Sequence, residues 1–339
     1  MALSYEDFYT GDGTDSLYPI NIRTIPIQAD HGLLVAYNPT SQKATDHALN
    51  IATGSDWPAK GPVIITPTEP TINANREMIE EYFKLWPKLH LAILGGDGTI
   101  NNVLNASLTL NHKFTCALSA DGNASDLAKS VNYGYYKRDP IASLTSGTKD
   151  FIRPIDVSIR DSNDQIIANR SAFAYTGLGI SGAVANIVSS QDYRRKAAKN
   201  KFIKYIQEIG LTLDTIKQTA SFEVEDNINP IRQLVDTSLL NGGRMAKTHF
   251  ANYLDLFQDK ANYSEIADNK YRTVAKQIGQ IALGKSRVLK RGEVIDLAVR
   301  HPKGSVLFAQ IDGETIALPD IAKISFKLSD QRIAVARTR

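Results

Sequence analysis

Leu91-Ala92-Ile93-Leu94-Gly95-Gly96-Asp97-Gly98-Thr99-Ile100-Asn101-Asn102-Val103-Leu104-Asn105 is the stretch on which the reading of this 339-residue chain turns. An apolar strand ends in three glycines and one aspartate, and a helix is predicted to begin at Thr99, which can serve as its N-cap. Glycines at Gly95, Gly96 and Gly98 let the backbone bend and let an oxyanion approach the amides closely. Unpaired amides at a helix N-terminus, aligned with the helix dipole, favour that anion, so the loop reads as a phosphate cradle. Asp97 places a carboxylate beside the phosphates, where it can hold Mg²⁺ directly or through water. The pattern is neither Gly-x-Gly-x-x-Gly nor a Walker loop, because no Lys-Ser/Thr pair follows. A glycine-rich turn that only tightens a strand–helix junction is the plainer alternative.

Working outward, the same rhythm repeats. Residues 33–37, 62–66, 89–94 and 115–119 read as short buried strands, with helices predicted over 43–52, 71–86, 99–110 and 124–131. Alternation of this kind is the signature of a parallel sheet covered on both faces. In such a sheet every strand-to-helix loop lies on one edge, and ligands bind along it. Asn38-Pro39-Thr40-Ser41, Thr66-Pro67-Thr68, Gly95–Thr99 and the second glycine turn, Gly122-Asn123, therefore share an edge. Together they make a nucleotide cleft, although each of the other three loops singly reads as an ordinary turn.

After residue 149 the pattern changes to strands with polar turns. Residues 152–160 and 165–175 read as a hairpin. A glycine turn at 177–182 and a basic amphipathic helix over 192–217 follow. Strands are predicted at 221–225, 231–240, 253–257, 293–300, 305–311 and 321–328, with a helix over 270–283. The expected fold is α/β, with an N-terminal parallel-sheet domain over 31–149 and a mostly antiparallel, β-sandwich-like domain over 150–328. Residues 1–30 read as an arm, in which Gly11-Asp12-Gly13-Thr14 is a decoy turn without a strand before it. Residues 329–339 read as a tail free to pack back on the first domain.

Composition narrows the function classes. Apolar residues make up 42% and charged residues 22%, so a full core is expected. Thirty-nine basic against thirty-six acidic side chains give a net charge of +3, which argues against nucleic acid as a partner. Basic residues cluster at Arg194, Arg195, Lys196, Lys199, Lys201 and Lys204, and again at Lys285, Arg287, Lys290 and Arg291. Each cluster reads either as a solvated face or as a surface for anionic headgroups or a phosphorylated substrate. Cys116 is the single cysteine, so neither a disulfide nor a thiol-rich metal site can form within the chain. The acidic start, Met1-Ala-Leu-Ser-Tyr-Glu-Asp, lacks the apolar core of a secretory signal, and no run is long enough to span a bilayer. The expected location is cytoplasmic, with any membrane contact peripheral, at the inner surface.

The order and spacing of Asn38-Pro39-Thr40-Ser41, Gly95-Gly96-Asp97-Gly98-Thr99 and Gly122-Asn123-Ala124-Ser125-Asp126 resemble the diacylglycerol kinase catalytic-domain family. That family includes sphingosine kinases and soluble bacterial lipid kinases. Ile155-Asp156-Val157, the glycines of 177–182 and Ile311-Asp312-Gly313-Glu314 resemble its second half, so the resemblance runs from about Leu33 to Pro319. It implies transfer of the γ-phosphoryl group of ATP, with Mg²⁺, to a lipid hydroxyl at a membrane surface. It implies that ATP lies between the domains, contacted by Asn38, Thr40, Ser41, Thr66, Gly95, Gly96, Gly98, Thr99, Gly122 and Asn123, with Asp97 toward the metal. Glu314 matches the general base, with Asp312 beside it and Asp97 as the third catalytic carboxylate. A homodimer is compatible with the resemblance. The chain departs from the family at Asn123 and Ser125, where Thr and Asn are usual, and at Gln42, where Gly is usual. The stretch 249–254 also lacks the Asp-Gly turn that helps soluble bacterial members hold a structural metal. Two rival readings remain: an NAD-kinase-like phosphotransferase, which shares the Gly-Gly-Asp-Gly-Thr loop, and a nucleotide-binding regulator that kept Asp97 but lost turnover.

Overall fold

A computed structural model describes residues 20–21, 31–54, 63–86, 88–110, 114–122, 125–132, 140–146, 148–190, 193, 201–227, 229–242, 244–245, 248–249, 256–283 and 285–337. The chain divides into two compact units, one of residues 1–152 with 333–339, the other of Arg153–Arg332.

In the first unit the order is β1 (Ile20–Asn21), β2 (His31–Tyr37), α1 (Gln42–Gly54), β3 (Val63–Pro67), α2 (Ile72–Leu85), β4 (Lys88–Gly95), α3 (Asp97–Leu108), β5 (Thr115–Ala120), α4 (Asp126–Val131), α5 (Pro140–Ser146) and β6 (Thr148–Ile152). Strands β3, β2, β4 and β5 pair in parallel, in that spatial order. Apolar residues fill consecutive positions of these strands because both faces of the sheet are covered. Leu33, Val35 and Leu94 pack with Ala44, Ala48 and Ile51, which recur along one face of α1 at helical spacing. Leu34, Leu91 and Ile93, of opposite orientation along the strands, are also buried. This arrangement places the loops after β2, β3, β4 and β5 on one edge.

The second unit continues with β7 (Ile155–Asp161), β8 (Ile166–Ala172), β9 (Tyr175–Gly179), α6 (Ile180–Ser189), α7 (Lys201–Gln218), β10 (Phe222–Asp226), β11 (Arg232–Leu234), β12 (Asp236–Leu240), β13 (Arg244–Met245), β14 (Thr248–His249), β15 (Lys260–Ile266), α8 (Tyr271–Ala282), β16 (Arg287–Lys290), β17 (Val294–Arg300), β18 (Leu307–Ile311), β19 (Glu314–Leu318) and β20 (Ile321–Leu328). Two six-stranded antiparallel sheets, β11-β10-β17-β20-β7-β8 and β16-β15-β12-β9-β18-β19, enclose one apolar layer. Ile155, Val157 and Ile324 reach it from the first sheet, and Leu178, Leu239 and Leu307 from the second. This is a β-sandwich, with polar residues on alternate positions facing out. A last strand, β21 (Ile333–Arg337), returns to the first unit and lies between β5 and β6, parallel to one and antiparallel to the other.

Several local expectations change. Residues 152–160 do not form one strand: Arg153-Pro154 interrupts it, since Pro154 lacks an N–H and holds its predecessor extended. The run 165–175 is likewise cut at Phe173-Ala174, and 231–240 divides into β11 and β12, which belong to different sheets. The glycines of 177–182 form no turn; they carry β9 directly into α6, and of the helix expected over 192–217 the described part is Tyr193 and α7, Lys201–Gln218. Gly182 is needed there, because a side-chain carbon would sit 2.0 Å from the Phe308 carbonyl oxygen. Of the strand expected at 253–257, Leu256 and Phe257 lie in a turn, residues 253–255 lie outside the described residues, and the next strand is β15. The arm 1–30 apart from Ile20–Asn21, the basic residues Arg194, Arg195, Lys196 and Lys199, and residues 250–255 lie outside the described residues.

Candidate active site

The glycine loop closes β4 at Gly95 and opens α3 at Asp97, with Gly96 as the N-cap residue. Thr99 is therefore not the cap: it lies inside the first turn, where its hydroxyl accepts a hydrogen bond from Asn38 Nδ2 at 2.9 Å. Gly96 has no side chain, so the N-cap residue itself makes no cap hydrogen bond to the first turn of this twelve-residue helix. Asn38 also organises its own loop, its Oδ1 accepting from the amide of Thr40 at 3.0 Å and from the Thr40 hydroxyl at 2.8 Å. The Ser41 hydroxyl donates to the Asp121 carbonyl at 3.1 Å, which ties the loop after β2 to the loop after β5. Thr66 is buried at the end of β3.

Asp97 has a structural task. Its two carboxylate oxygens accept the amides of Asp126 and Leu127, at 2.9 and 3.1 Å, and so cap α4 from the neighbouring loop. The glycines allow this closeness: a side-chain carbon on Gly122 would stand 2.2 Å from the Gly96 Cα. Ser125 adopts a left-handed conformation, φ 51°, and its hydroxyl accepts the Gly122 amide at 3.0 Å. Asn123 lies outside the described residues. Gly95, Gly96, Gly98, Thr99, Asn38, Ser41 and Gly122 thus belong to one interlocked set of loops.

Sequence reasoning missed a polar cluster beneath this edge. Asp121 Oδ2 accepts from the Ser119 hydroxyl at 2.6 Å and lies 2.9 Å from His47 Nδ1, with Lys43 Nζ 3.7 Å from its other oxygen. Lys43 also donates to the Ala120 carbonyl at 2.8 Å. Burial alone would raise the Asp121 carboxyl, but the hydrogen bonds from His47 and Ser119 and the charges of His47 and Lys43 outweigh it and hold it below the ordinary carboxylate range. The available signal was Lys43 and His47 at i, i+4 on one helix face, directly after the Asn38–Ser41 loop.

In the second unit, Asp312-Gly313 is the two-residue turn joining β18 to β19. Both residues have positive φ, 47° and 85°, as a type I′ hairpin requires. The Asp312 side chain is buried and accepts three backbone amides, from Phe173 at 2.7 Å and from Ala174 and Tyr175 at 2.9 Å. It builds the junction between β8 and β9. Glu314, first residue of β19, is partly exposed and ion-pairs with Arg170 of β8. Among the described residues no group of three His, Cys, Asp or Glu side chains is placed to hold a metal ion. Asp259, just before β15, is instead bound by two guanidinium groups, those of Arg153 and Arg332. No helix among the described residues is long and apolar enough to cross a membrane.

Comparison with known proteins agrees with this architecture. Residues 32–158 match the sequence model of the diacylglycerol kinase catalytic domain. Over 153 residues the chain is 26% identical to "Putative lipid kinase SAB0675c" of Staphylococcus aureus (strain bovine RF122 / ET3-1), a match that spans 44% of this chain and 44% of that protein. Among solved structures, "a diacylglycerol kinases from Bacillus anthracis str. Sterne" superposes with a TM-score of 0.57 at 15% identity, over 91% of this chain and 96% of that one. A second from the same organism, "a putative diacylglycerol kinase", gives 0.58 at 14%, over 91% and 95%. The first likeness places the glycine loop within a recognised domain, and the second extends the shared fold over nearly the whole chain. Residues 32–158 are therefore similar to the diacylglycerol kinase catalytic domain, and the chain as a whole shares the fold of those solved structures.

Proposed function

We propose that the protein transfers the γ-phosphoryl group of Mg-ATP to the hydroxyl of a diacylglycerol-like lipid at a membrane surface. The observation that carries this reading is the N-terminus of α3, which opens directly from the Gly95–Gly96 loop with a glycine as its N-cap residue. A phosphate fits there because amides donate to it and no Cβ obstructs its approach. Gly96, Gly98 and Thr99 hold the phosphates, and Asn38, Thr40, Ser41, Thr66 and Gly122 shape the adjoining surface. When bound with the triphosphate, Mg²⁺ would supply charge neutralisation at the phosphates. Asp97 serves the loop first, by locking α4 to α3, and is the residue that would hold the ion, through water.

The acceptor hydroxyl attacks the γ-phosphorus, the bond to the bridging oxygen breaks, and ADP leaves. The hydroxyl proton passes to the Glu314 carboxylate, which Arg170 orients. Phosphoryl transfer asks little more of a protein than positioning, neutralisation and one base. Asp312 positions Glu314 through the turn and takes no proton.

The test has two arms. Mg-ATP at about 100 times its Kd should stabilise the protein by roughly 2.7 kcal/mol, and Asp97→Ala should weaken that response. Radiolabel transfer is then followed with diacylglycerol vesicles, with NAD and with no acceptor. Label in the lipid product supports the proposal, and Glu314→Gln should lower turnover by about 10²–10⁴-fold while nucleotide binding holds. Label in NAD would move the protein to the NAD-kinase-like reading. Binding without transfer would make it a nucleotide-dependent regulator.

A further inference from the structure

A cavity of about 240 Å³ opens at the β15–β16 edge of the sandwich, walled by Tyr263, Glu265, Lys285, Ser286 and Arg287, with Asn229 at its rim. The inward rows of the two sheets are apolar until they reach this end. Ala261, Tyr263 and Leu289 belong to the core, and the alternation then brings in Glu265 on β15 and Arg287 on β16, the latter opposite Tyr263 in register. Arg232 ends the matching row of β11, after Leu234 in the core.

The acidic groups here are already satisfied. Arg232 donates to Glu265 Oε2 at 2.8 Å and to Asp226 at 2.8 Å, and Asn229 also donates to Asp226, through its backbone amide at 2.6 Å. The Tyr263 hydroxyl donates to Glu265 at 2.7 Å; burial and the Glu265 charge push that hydroxyl up, so it stays a donor. Lys285 and Arg287 have no acidic partner among the described residues, and the buried Ser286 hydroxyl has no hydrogen-bond partner. What is left uncommitted is therefore two cations and one hydroxyl, converging on a space smaller than the roughly 300–1,000 Å³ of drug-sized pockets.

We infer that this cavity is a binding site for a small phosphate monoester, held by Lys285, Ser286 and Arg287. A guanidinium, an ammonium and a hydroxyl match the three terminal oxygens of a phosphate. The site is separate from the proposed base. β16 and β19 are opposite edges of the same sheet with four strands between them, about 24 Å apart at 4.8 Å per strand. It holds whatever the acceptor of the kinase reaction is, because no part of it rests on turnover.

Hydrogen exchange of the full chain tests it, read by mass spectrometry on peptides covering 260–266 and 285–290. The probes are inorganic phosphate, glycerol 3-phosphate, succinate, sodium chloride at matched ionic strength, and phosphatidic acid vesicles against phosphatidylcholine vesicles. At about ten times its Kd a bound phosphate ester should slow exchange in these peptides about tenfold. Protection by soluble glycerol 3-phosphate assigns a free metabolite, and protection by phosphatidic acid vesicles alone assigns a lipid headgroup. Lys285→Gln with Arg287→Gln should abolish the effect, and Arg287→Lys should retain part of it. Protection of residues 95–99 by Mg-ATP in the same variants shows that they are folded. Exchange unchanged by every phosphate probe, equal protection by succinate or chloride, or full protection in the double variant would each overturn the inference.

Discussion

Replacing Asp312 by asparagine separates a turn-building carboxylate from a chemical one. Asparagine keeps the side-chain size and tolerates the left-handed backbone at φ 47°, so the hairpin turn itself is not challenged. The carboxylate accepts from Phe173 through Oδ2 and from Ala174 and Tyr175 through Oδ1. With one oxygen turned into an NH₂ group, the better orientation keeps the oxygen on Ala174 and Tyr175. The new amide then faces the Phe173 N–H, donor against donor, at a site 1% exposed. Leaving one buried N–H unpaired costs about 1–3 kcal/mol, and reducing two charge-assisted bonds to neutral ones costs about 1 kcal/mol each, so the total is on the order of 3–5 kcal/mol. For a unit of this size each kcal/mol lowers Tm by about 2–4 °C, which places the loss at roughly 6–20 °C in a calorimetric or fluorescence melt. Glu314→Gln, on a partly exposed side chain, should stay within about 1 kcal/mol of the parent. An Asp312→Asn protein melting within about 2 °C of the parent would refute the claim that this carboxylate holds the β8–β9 junction.

Other substitutions probe the remaining features. Gly122→Ala drives a carbon into the backbone of Gly96 and should cost about 1–3 kcal/mol and weaken Mg-ATP binding, whereas Gly210→Ala, in open space on α7, should be neutral or stabilising; equal behaviour of the two in melts would contradict the interlocked loops. Asp236 is buried, which pushes its carboxyl up to about 7 against the lowering effect of the Ser181 amide, so the folded state binds its proton more tightly than the unfolded chain does. The stability tied to that proton is complete below about pH 4 and lost as pH rises through about 7. Asp236→Asn should therefore gain on the order of 2–4 kcal/mol relative to the parent at pH 8 and little at pH 4; a pH-independent difference would show that Asp236 titrates normally. For Asp121 the sign is opposite, because its carboxyl is held low. Its contribution is present above about pH 4 and fades in acid, and His47→Ala should flatten that part of an acid-denaturation profile.

Much of the first unit was legible because its information is local. Strand, glycine turn and helix follow one another within about fifteen residues, and the apolar runs of 33–37 and 89–94 announce burial on both faces. The exact cap was not legible: Thr99 has the better capping side chain, yet three glycines let the helix begin two residues earlier, with Gly96 as the N-cap residue. The second unit was harder. β15 carries Asn262 and Ser264 among its apolar residues, so the more apolar 253–257 attracted the strand assignment. β19 was passed over because Asp312-Gly313-Glu314 drew attention as a motif rather than as the turn before a strand. Roles set by contacts distant in sequence, such as Asp312 on Phe173 or Asp97 on Asp126, leave no periodic trace at all.

The position of β21 has a consequence for how the protein is made. The strand lies between β5 and β6, yet it is encoded only after all of Arg153–Arg332. During synthesis β5, with Cys116 and Leu118 in an apolar row, must wait with one edge unpaired while the whole sandwich emerges. At about 5–20 residues per second that interval is on the order of ten seconds or more. An open apolar strand edge is a template for wrong pairing. The nascent first unit is thus the stage most open to wrong pairing, and ribosome-bound chains stopped before residue 333 are where its aggregation would be caught.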